Sequence, residues 1–192
     1  MISEKAFEKA AAALGCEVAA IKAVARVESA GAGFDNNGKL KVLFEPHIFW
    51  QQLEAAHIDP ARYASAYKDV LYREYRQDHG PYATQWAKLN RARQINEEAA
   101  LKSASYGMFQ IMGFNHAAAG FATVADMVIA FNTGEDAQLE GFVQFVLAKK
   151  LQGFLRQKDF AGFAEKYNGP SYALNAYDAR MRTYYLQFKQ NS

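Results

Sequence analysis

One carboxylate stands at an unusual place in the sequence: Glu28 ends a run of small apolar residues. The residues three, four and seven positions before it are also apolar: Ala25, Val24 and Ile21. On an α-helix these spacings fall on one face, so Glu28 continues an apolar stripe. Burial on such a stripe removes water from a carboxyl group, which disfavours its charged form. A glutamate held in this way can act as a general acid at neutral pH.

The same position has a second interpretation, in which Glu28 reaches solvent from the helix end or pairs with an arginine. The C-terminus of a helix carries a partial negative charge, which disfavours an ionised glutamate there. Glu28 is therefore a poor choice for helix stability. Departures from local stability rules are often found at functional sites, which favours the role in chemistry.

A second carboxylate would complete the pair that cleavage of glycosidic bonds commonly uses, and Glu45 is the first candidate. Leu40, Val42 and Phe44 alternate with charged residues at 39 and 41, which predicts a strand that ends at Glu45. The alternation puts Glu45 on the face of Lys39 and Lys41, so a plain surface carboxylate or an ion pair with these lysines is the alternative. Asp35 is another candidate, but its place beside an Asn-Gly turn favours a role in that turn.

Other chemistries find little support in the sequence. The four histidines show no spacing of four residues and no neighbouring cysteine, so a zinc site is not predicted. Cys16 is the only cysteine and lies in an apolar helical pattern, which indicates a small buried side chain rather than a nucleophile. No phosphate-binding loop and no Gly-x-Ser-x-Gly elbow occurs. We therefore expect neither a metal nor an organic cofactor.

Length and composition indicate one ordered domain over residues 1–192. The chain is 51% hydrophobic, which is typical of a protein with a buried core, and its net charge of +2 is too small for a dedicated nucleic-acid binder. The first 15 residues carry scattered charges, unlike a secretory signal. No stretch approaches the roughly 18 apolar residues of a membrane span. We expect synthesis in the cytoplasm and no stable membrane insertion.

Helical periodicity and capping residues predict a mainly α-helical fold with about nine helices. One small β-hairpin is predicted in the N-terminal third, around the turn at Asn37 and Gly38. The segment 103–113 is predicted as a short apolar helix. The other helices are predicted over residues 3–14, 17–29, 47–56, 81–102, 123–131, 134–147, 160–167 and 175–188.

Three segments in this order resemble the lysozyme-like superfamily, which includes goose-type lysozymes and soluble lytic transglycosylases. They are VESAGAGF (27–34), SYGMFQIMG (105–113) and KYNGP (166–170). The longer segments AVARVESAGAGF, LFEPHIFW and SYGMFQIMGFNH are similar to the N-acetylmuramidase family of bacteriophage endolysins, over roughly residues 15–185. The resemblance implies an α+β lysozyme-like fold in a single catalytic domain, without a separate wall-binding module.

The resemblance also implies which residues do the work. Glu28 would be the catalytic acid, and Ser29 and Gly31 match the family pattern after it. The sugar-binding groove would be lined by four further residues: Ser105, Gln110, Tyr167 and Asn168. Glu45 matches the FEPH stretch, but its role as the second carboxylate carries over less firmly than that of Glu28.

The implied reaction is hydrolysis of the β-1,4 bond between N-acetylmuramic acid and N-acetylglucosamine, without metal or cofactor. The expected partner is the glycan strand of peptidoglycan, and the protein is expected to be a monomer that acts in the periplasm or cell wall after release. Two alternatives stay open: a lytic transglycosylase that forms 1,6-anhydromuramyl ends, and a non-catalytic glycan-binding module. The basic stretch at residues 149–158 could touch anionic lipid, or could be a solvated helix face.

Overall fold

The computed structural model describes residues 1–28, 32–76, 80–169 and 176–190. Within these ranges the protein is mostly helical, with 62% of residues in helices, eleven α-helices and one three-stranded antiparallel sheet. The mainly helical class predicted from the sequence is confirmed. The number of helices is higher than the predicted nine, partly because the helix predicted over residues 81–102 is divided in two. The second of these helices is capped by Asn96, whose side chain accepts a hydrogen bond from Ala99 N–H at 2.8 Å.

The α-helices have the following bounds: α1 Glu4–Leu14, α2 Val18–Glu28, α3 Pro46–Ala55, α4 Ala61–Ala64, α5 Gln85–Arg93, α6 Glu97–Lys102, α7 Val124–Thr133, α8 Glu135–Ala148, α9 Gln152–Gln157, α10 Phe160–Asn168 and α11 Tyr177–Gln190. Two short 3-10 turns span Tyr82–Thr84 and Gly113–Asn115. The strands are β1 Val42–Phe44, β2 Ala104–Tyr106 and β3 Ile111–Met112. Within the parts of the chain given above, no helix is both long and apolar enough to cross a membrane.

The short helix predicted over residues 103–113 is wrong, because this segment forms β2, a turn and β3. The turn contains two residues with positive φ, Gly107 at 71° and Gln110 at 48°, which an α-helix cannot contain. β2 pairs with β1 some sixty positions earlier, with Leu43 opposite Ser105. A pattern in one segment cannot reveal a partner strand so far away, which explains the error.

The predicted hairpin is present only in part. Gly38 N–H donates to the Asp35 carbonyl at 3.0 Å, and Phe34 forms an isolated bridge with Leu40, so a turn forms at the predicted place. It is a three-residue loop over 36–38 and not the predicted two-residue Asn-Gly turn, because Asp35 N–H donates to the Lys39 carbonyl at 2.8 Å and Gly38, but not Asn37, has a positive φ. β1, however, begins two residues beyond this bridge and pairs with β2. The single hairpin of the prediction is thus corrected to a sheet of order β1-β2-β3, to which the turn is an extension.

Helix α2 lies at the centre of the fold, packed against α1 and α11. Seven of its eleven residues are buried, most of them alanine and valine, which lets the neighbouring helices approach closely. Near its start, the carboxylate of Glu17 contacts Lys158 at 2.6 Å and Lys189 at 3.2 Å, and accepts a hydrogen bond from Tyr185. The bond from Lys158, with those from Tyr185 and Lys189, lowers the pKa of Glu17 to about 2. These contacts anchor the helix that ends at Glu28.

The basic stretch at residues 149–158 is partly engaged inside the protein. The guanidinium group of Arg156 donates to the Leu14 carbonyl at 2.7 Å, and Lys158 is the cation that contacts Glu17. These two charges stabilise the helical domain, which favours a structural role for this stretch over lipid contact.

Candidate active site

Glu28 is the last residue of α2 and its side chain is half-buried. It lies close enough to Tyr167 of α10 that the two groups interact electrostatically. Burial, and then the negative charge of Glu28, raise the pKa of Tyr167 well above its ordinary value. The phenol therefore stays protonated, and its hydroxyl donates to the Phe109 carbonyl at 3.0 Å. Two residues that are 139 positions apart in the sequence thus meet beside the end of α2.

Ser105 and Gln110 lie on the neighbouring β2–β3 segment and contact each other. The Ser105 hydroxyl donates to Gln110 Oε1 at 2.9 Å, and Gln110 Nε2 donates to the Gly107 carbonyl at 2.8 Å. Ser105 is buried, whereas Gln110 is half-buried. The serine therefore orients the glutamine amide, and Gln110 is the member of the pair with solvent access.

The sheet brings Glu45 to the same side as Ser105. Leu43 lies directly opposite Ser105, and side chains on opposed residues of antiparallel strands project from the same face. Glu45 follows Leu43 by two residues and thus shares its face. Its N–H donates to the Ser103 carbonyl at 2.9 Å, which fixes the backbone just beyond the last pair of β1 and β2.

A basic group beside Glu45 is His47, in the first turn of α3. Glu45 Oε2 lies 3.5 Å from His47 Nδ1, and both side chains are 17% exposed. The pair therefore sits at the boundary between the interior and solvent. The structure thus places Glu45 at the junction between β1 and α3, with His47 beside its carboxylate.

These contacts form a row of site residues that runs from Glu28 to Tyr167 and through residues 109–110 to Ser105. The register of β1 and β2 places Glu45 next along the sheet, two residues beyond the partner of Ser105. Asn168 ends α10, but its side chain is not among those described, and Ser29 and Gly31 lie outside the described residues. The structure therefore does not test these three residues, and the roles of all the predicted site residues stay predictions.

Two residues of α8 that the sequence reasoning missed hold the loops around this row. The side chain of Gln138 is fully buried; its Oε1 accepts from Met108 N–H at 2.7 Å, and its Nε2 donates to the Phe131 carbonyl at 2.9 Å. Glu135 is buried too and accepts from Gly33 N–H at 2.8 Å. α8 thus holds both the chain shortly after Glu28 and the turn between β2 and β3.

Glycine is required where these loops meet Gln138. A Cβ added to Gly33 would overlap Oε1 of Gln138, and one added to Gly107 would lie 2.7 Å from the same atom. The sequence did contain a signal for Glu135 and Gln138, which together clamp the two loops. Glu135 and Gln138 share the helix face of the buried Leu139 and Phe142, which is the same pattern that singled out Glu28.

Replacement of Gln138 by Met tests this clamp. The substitution keeps the side-chain length but leaves the Met108 N–H and the Phe131 carbonyl without their partner. Each buried group that loses its hydrogen bond costs about 1–3 kcal/mol. We expect a fall of that size or more in the free energy of unfolding, measured in urea, and lower activity at 20 °C. Gln144→Met, at an exposed position of the same helix, is the control. Equal stability of both variants would contradict the role of Gln138.

Other chemistries are not favoured by the geometry. Among the described residues, no group of three or more His, Cys, Asp or Glu side chains is placed to hold a metal ion. The thiol of Cys16 is half-buried, and burial raises its pKa to about 11. A thiol with this pKa is almost wholly protonated at neutral pH and is a poor nucleophile.

Comparison with known proteins agrees with this geometry. No curated protein matches the chain significantly. Among solved structures, the crystal structure of the Burkholderia AP3 phage endolysin is similar, with a TM-score of 0.91 and 38% sequence identity. The alignment covers 98% of this chain and 72% of that one. A family model described as N-acetylmuramidase matches residues 17–189, and the chain therefore belongs to the N-acetylmuramidase family.

Proposed function

We propose that the protein degrades peptidoglycan by hydrolysing the β-1,4 bond between N-acetylmuramic acid and N-acetylglucosamine. Family membership and the likeness to a phage endolysin support a peptidoglycan-degrading hydrolase. The single observation that supports the finer assignment is the row of side chains described above. It has a half-buried glutamate at one end and a second carboxylate at the other.

In this proposal Glu28 is the general acid. It donates its proton to the glycosidic oxygen while the bond from that oxygen to the anomeric carbon breaks and positive charge develops on the sugar ring. A water molecule adds to the anomeric carbon, and its proton passes to a base.

Glu45 is the proposed second carboxylate. It would orient or deprotonate the water from the opposite side, or stabilise the positive charge on the sugar. A separation of about 6.5–9.5 Å between the two carboxyl groups predicts inversion at the anomeric carbon, whereas about 5–5.5 Å predicts retention. Assistance by a group of the substrate itself would instead leave Glu28 as the sole acid and base.

Gln110, Tyr167 and Asn168 would bind the glycan, with Ser105 holding the amide of Gln110. Because the Tyr167 hydroxyl stays protonated and donates a hydrogen bond to the Phe109 carbonyl, its oxygen can accept a hydrogen bond from a sugar hydroxyl. We further propose that the enzyme is a monomer made in the host cytoplasm, and that it reaches peptidoglycan in the periplasm or cell wall after release.

Mass spectrometry of digested peptidoglycan tests the reaction. Hydrolysis is expected to give fragments that end in a reducing N-acetylmuramic acid, because water is consumed. A lytic transglycosylase would give 1,6-anhydromuramyl ends, which are lighter by one water. Products of the second kind would overturn the hydrolytic proposal, and fragments that end in reducing N-acetylglucosamine would overturn the choice of bond. Saccharide binding without any turnover would indicate a glycan-binding module.

A further inference from the structure

Two aromatic rings continue the row of site residues beyond Glu45. His47, whose Nδ1 lies 3.5 Å from the Glu45 carboxylate, also contacts Tyr75. The two ring centres are 5.2 Å apart and the rings meet at 83°, in an edge-to-face arrangement. One side chain therefore separates Tyr75 from Glu45, and the contact with His47 restrains the orientation of the tyrosine ring.

Tyr75 is 62% exposed, so most of its ring surface meets solvent. Two other aromatic residues, Tyr72 and Trp50, are half-buried and each has an arginine near its ring. The guanidinium group of Arg76 lies 3.8 Å from the ring centre of Tyr72, and that of Arg73 lies 6.0 Å from the ring centre of Trp50. Tyr75 thus presents more of its ring to solvent than Tyr72 or Trp50 does.

We propose that Tyr75 forms an additional sugar-binding subsite next to Glu45 and His47. This inference rests on the proposed function, because it takes a glycan strand as the ligand. A glycan strand is a polymer that continues on both sides of the cleaved bond, and Tyr75 lies one side chain away from the carboxylate proposed to act at that bond. The C–H groups on one face of a pyranose ring are apolar and weakly positive, and the face of an aromatic ring is negative. The exposed ring of Tyr75 can therefore stack on a sugar of the strand that lies near Glu45, on the far side of His47.

The affinity of isolated glycan strands tests the subsite. Binding is measured by calorimetry in the Glu28→Gln background, so that the ligand is not cleaved. We expect Tyr75→Ala to weaken binding about tenfold, which equals about 1.4 kcal/mol. Tyr75→Phe and Tyr75→Trp keep a stacking ring and are expected to bind within about twofold of the parent. In the active enzyme, Tyr75→Ala is expected to raise KM by a similar factor and to leave kcat unchanged.

Tyr82→Ala is the matched control, because Tyr82 is a tyrosine of similar exposure, 56%. Unchanged binding by Tyr75→Ala would overturn the subsite, and so would an equal loss in Tyr75→Phe or in Tyr82→Ala. Failure of the proposed function gives a different pattern. If Glu28→Gln still cleaves the strands, the acid is wrong, but KM of the active enzyme still decides the role of Tyr75. If the wild-type protein binds no glycan, both proposals fail.

Discussion

Glu28→Gln is expected to lower the rate of peptidoglycan cleavage by about 10³-fold or more while the protein stays folded. Loss of a general acid commonly costs about 10²–10⁴-fold in rate. Glutamine has nearly the same size as glutamate, and its amide cannot protonate a leaving oxygen. Because the side chain is half-buried at the end of α2, the substitution changes charge and acidity with little change in packing. The measurement is the initial rate of release of soluble muropeptides.

The control for this variant lies at the other end of the same helix. Glu17 precedes α2 and contacts Lys158 and Lys189. Glu17→Gln therefore disturbs ion pairs of the fold at the end of the helix opposite to Glu28. We expect Glu17→Gln to keep near-normal turnover at 20 °C even where its melting temperature falls. If Glu28→Gln keeps near-wild-type turnover, or if both variants lose activity equally, Glu28 is not the acid.

Glu45→Gln is expected to lower kcat by about 10²-fold and to leave KM nearly unchanged. If Glu45 orients water or stabilises the charged sugar, its negative charge matters in the transition state more than in the bound ground state. The neutral amide keeps the shape of the site, so the glycan still binds. Steady-state kinetics on soluble glycan strands separate the two parameters.

Glu54→Gln is the comparison for this second variant, because Glu54 lies near the end of α3, the helix that Glu45 precedes. Its carboxylate accepts a hydrogen bond from Trp50 Nε1 at 2.8 Å and belongs to the surface of that helix. We expect wild-type kcat for Glu54→Gln. An undiminished rate in Glu45→Gln would show that Glu28 works as the sole acid–base residue, and would direct attention to assistance by the substrate.

The predictions from the sequence succeeded where neighbouring residues decide the structure. The helix predicted over residues 3–14 forms as α1, because Ser3 caps it by accepting from Ala6 N–H at 3.2 Å and Gly15 ends it at a φ of 66°. A turn also forms at the predicted place, although as a three-residue loop, because Gly38 adopts the positive φ of 73° that the chain needs there. The helical spacing of apolar residues that predicted Glu28 on an inward face of α2 is equally local, because helix geometry alone decides which residues share a face.

The sequence alone thus determined the helical class, the family and the position of Glu28 at the end of a buried helix. Only the tertiary structure decided that residues 104–106 pair with β1, that Tyr167 meets Glu28, and that Gln138 holds two loops at once. Capping and helical phase depend on residues a few positions apart, which a single sequence displays. Strand pairing and the contacts between distant helices depend on how the whole core packs, and no local pattern contains that information.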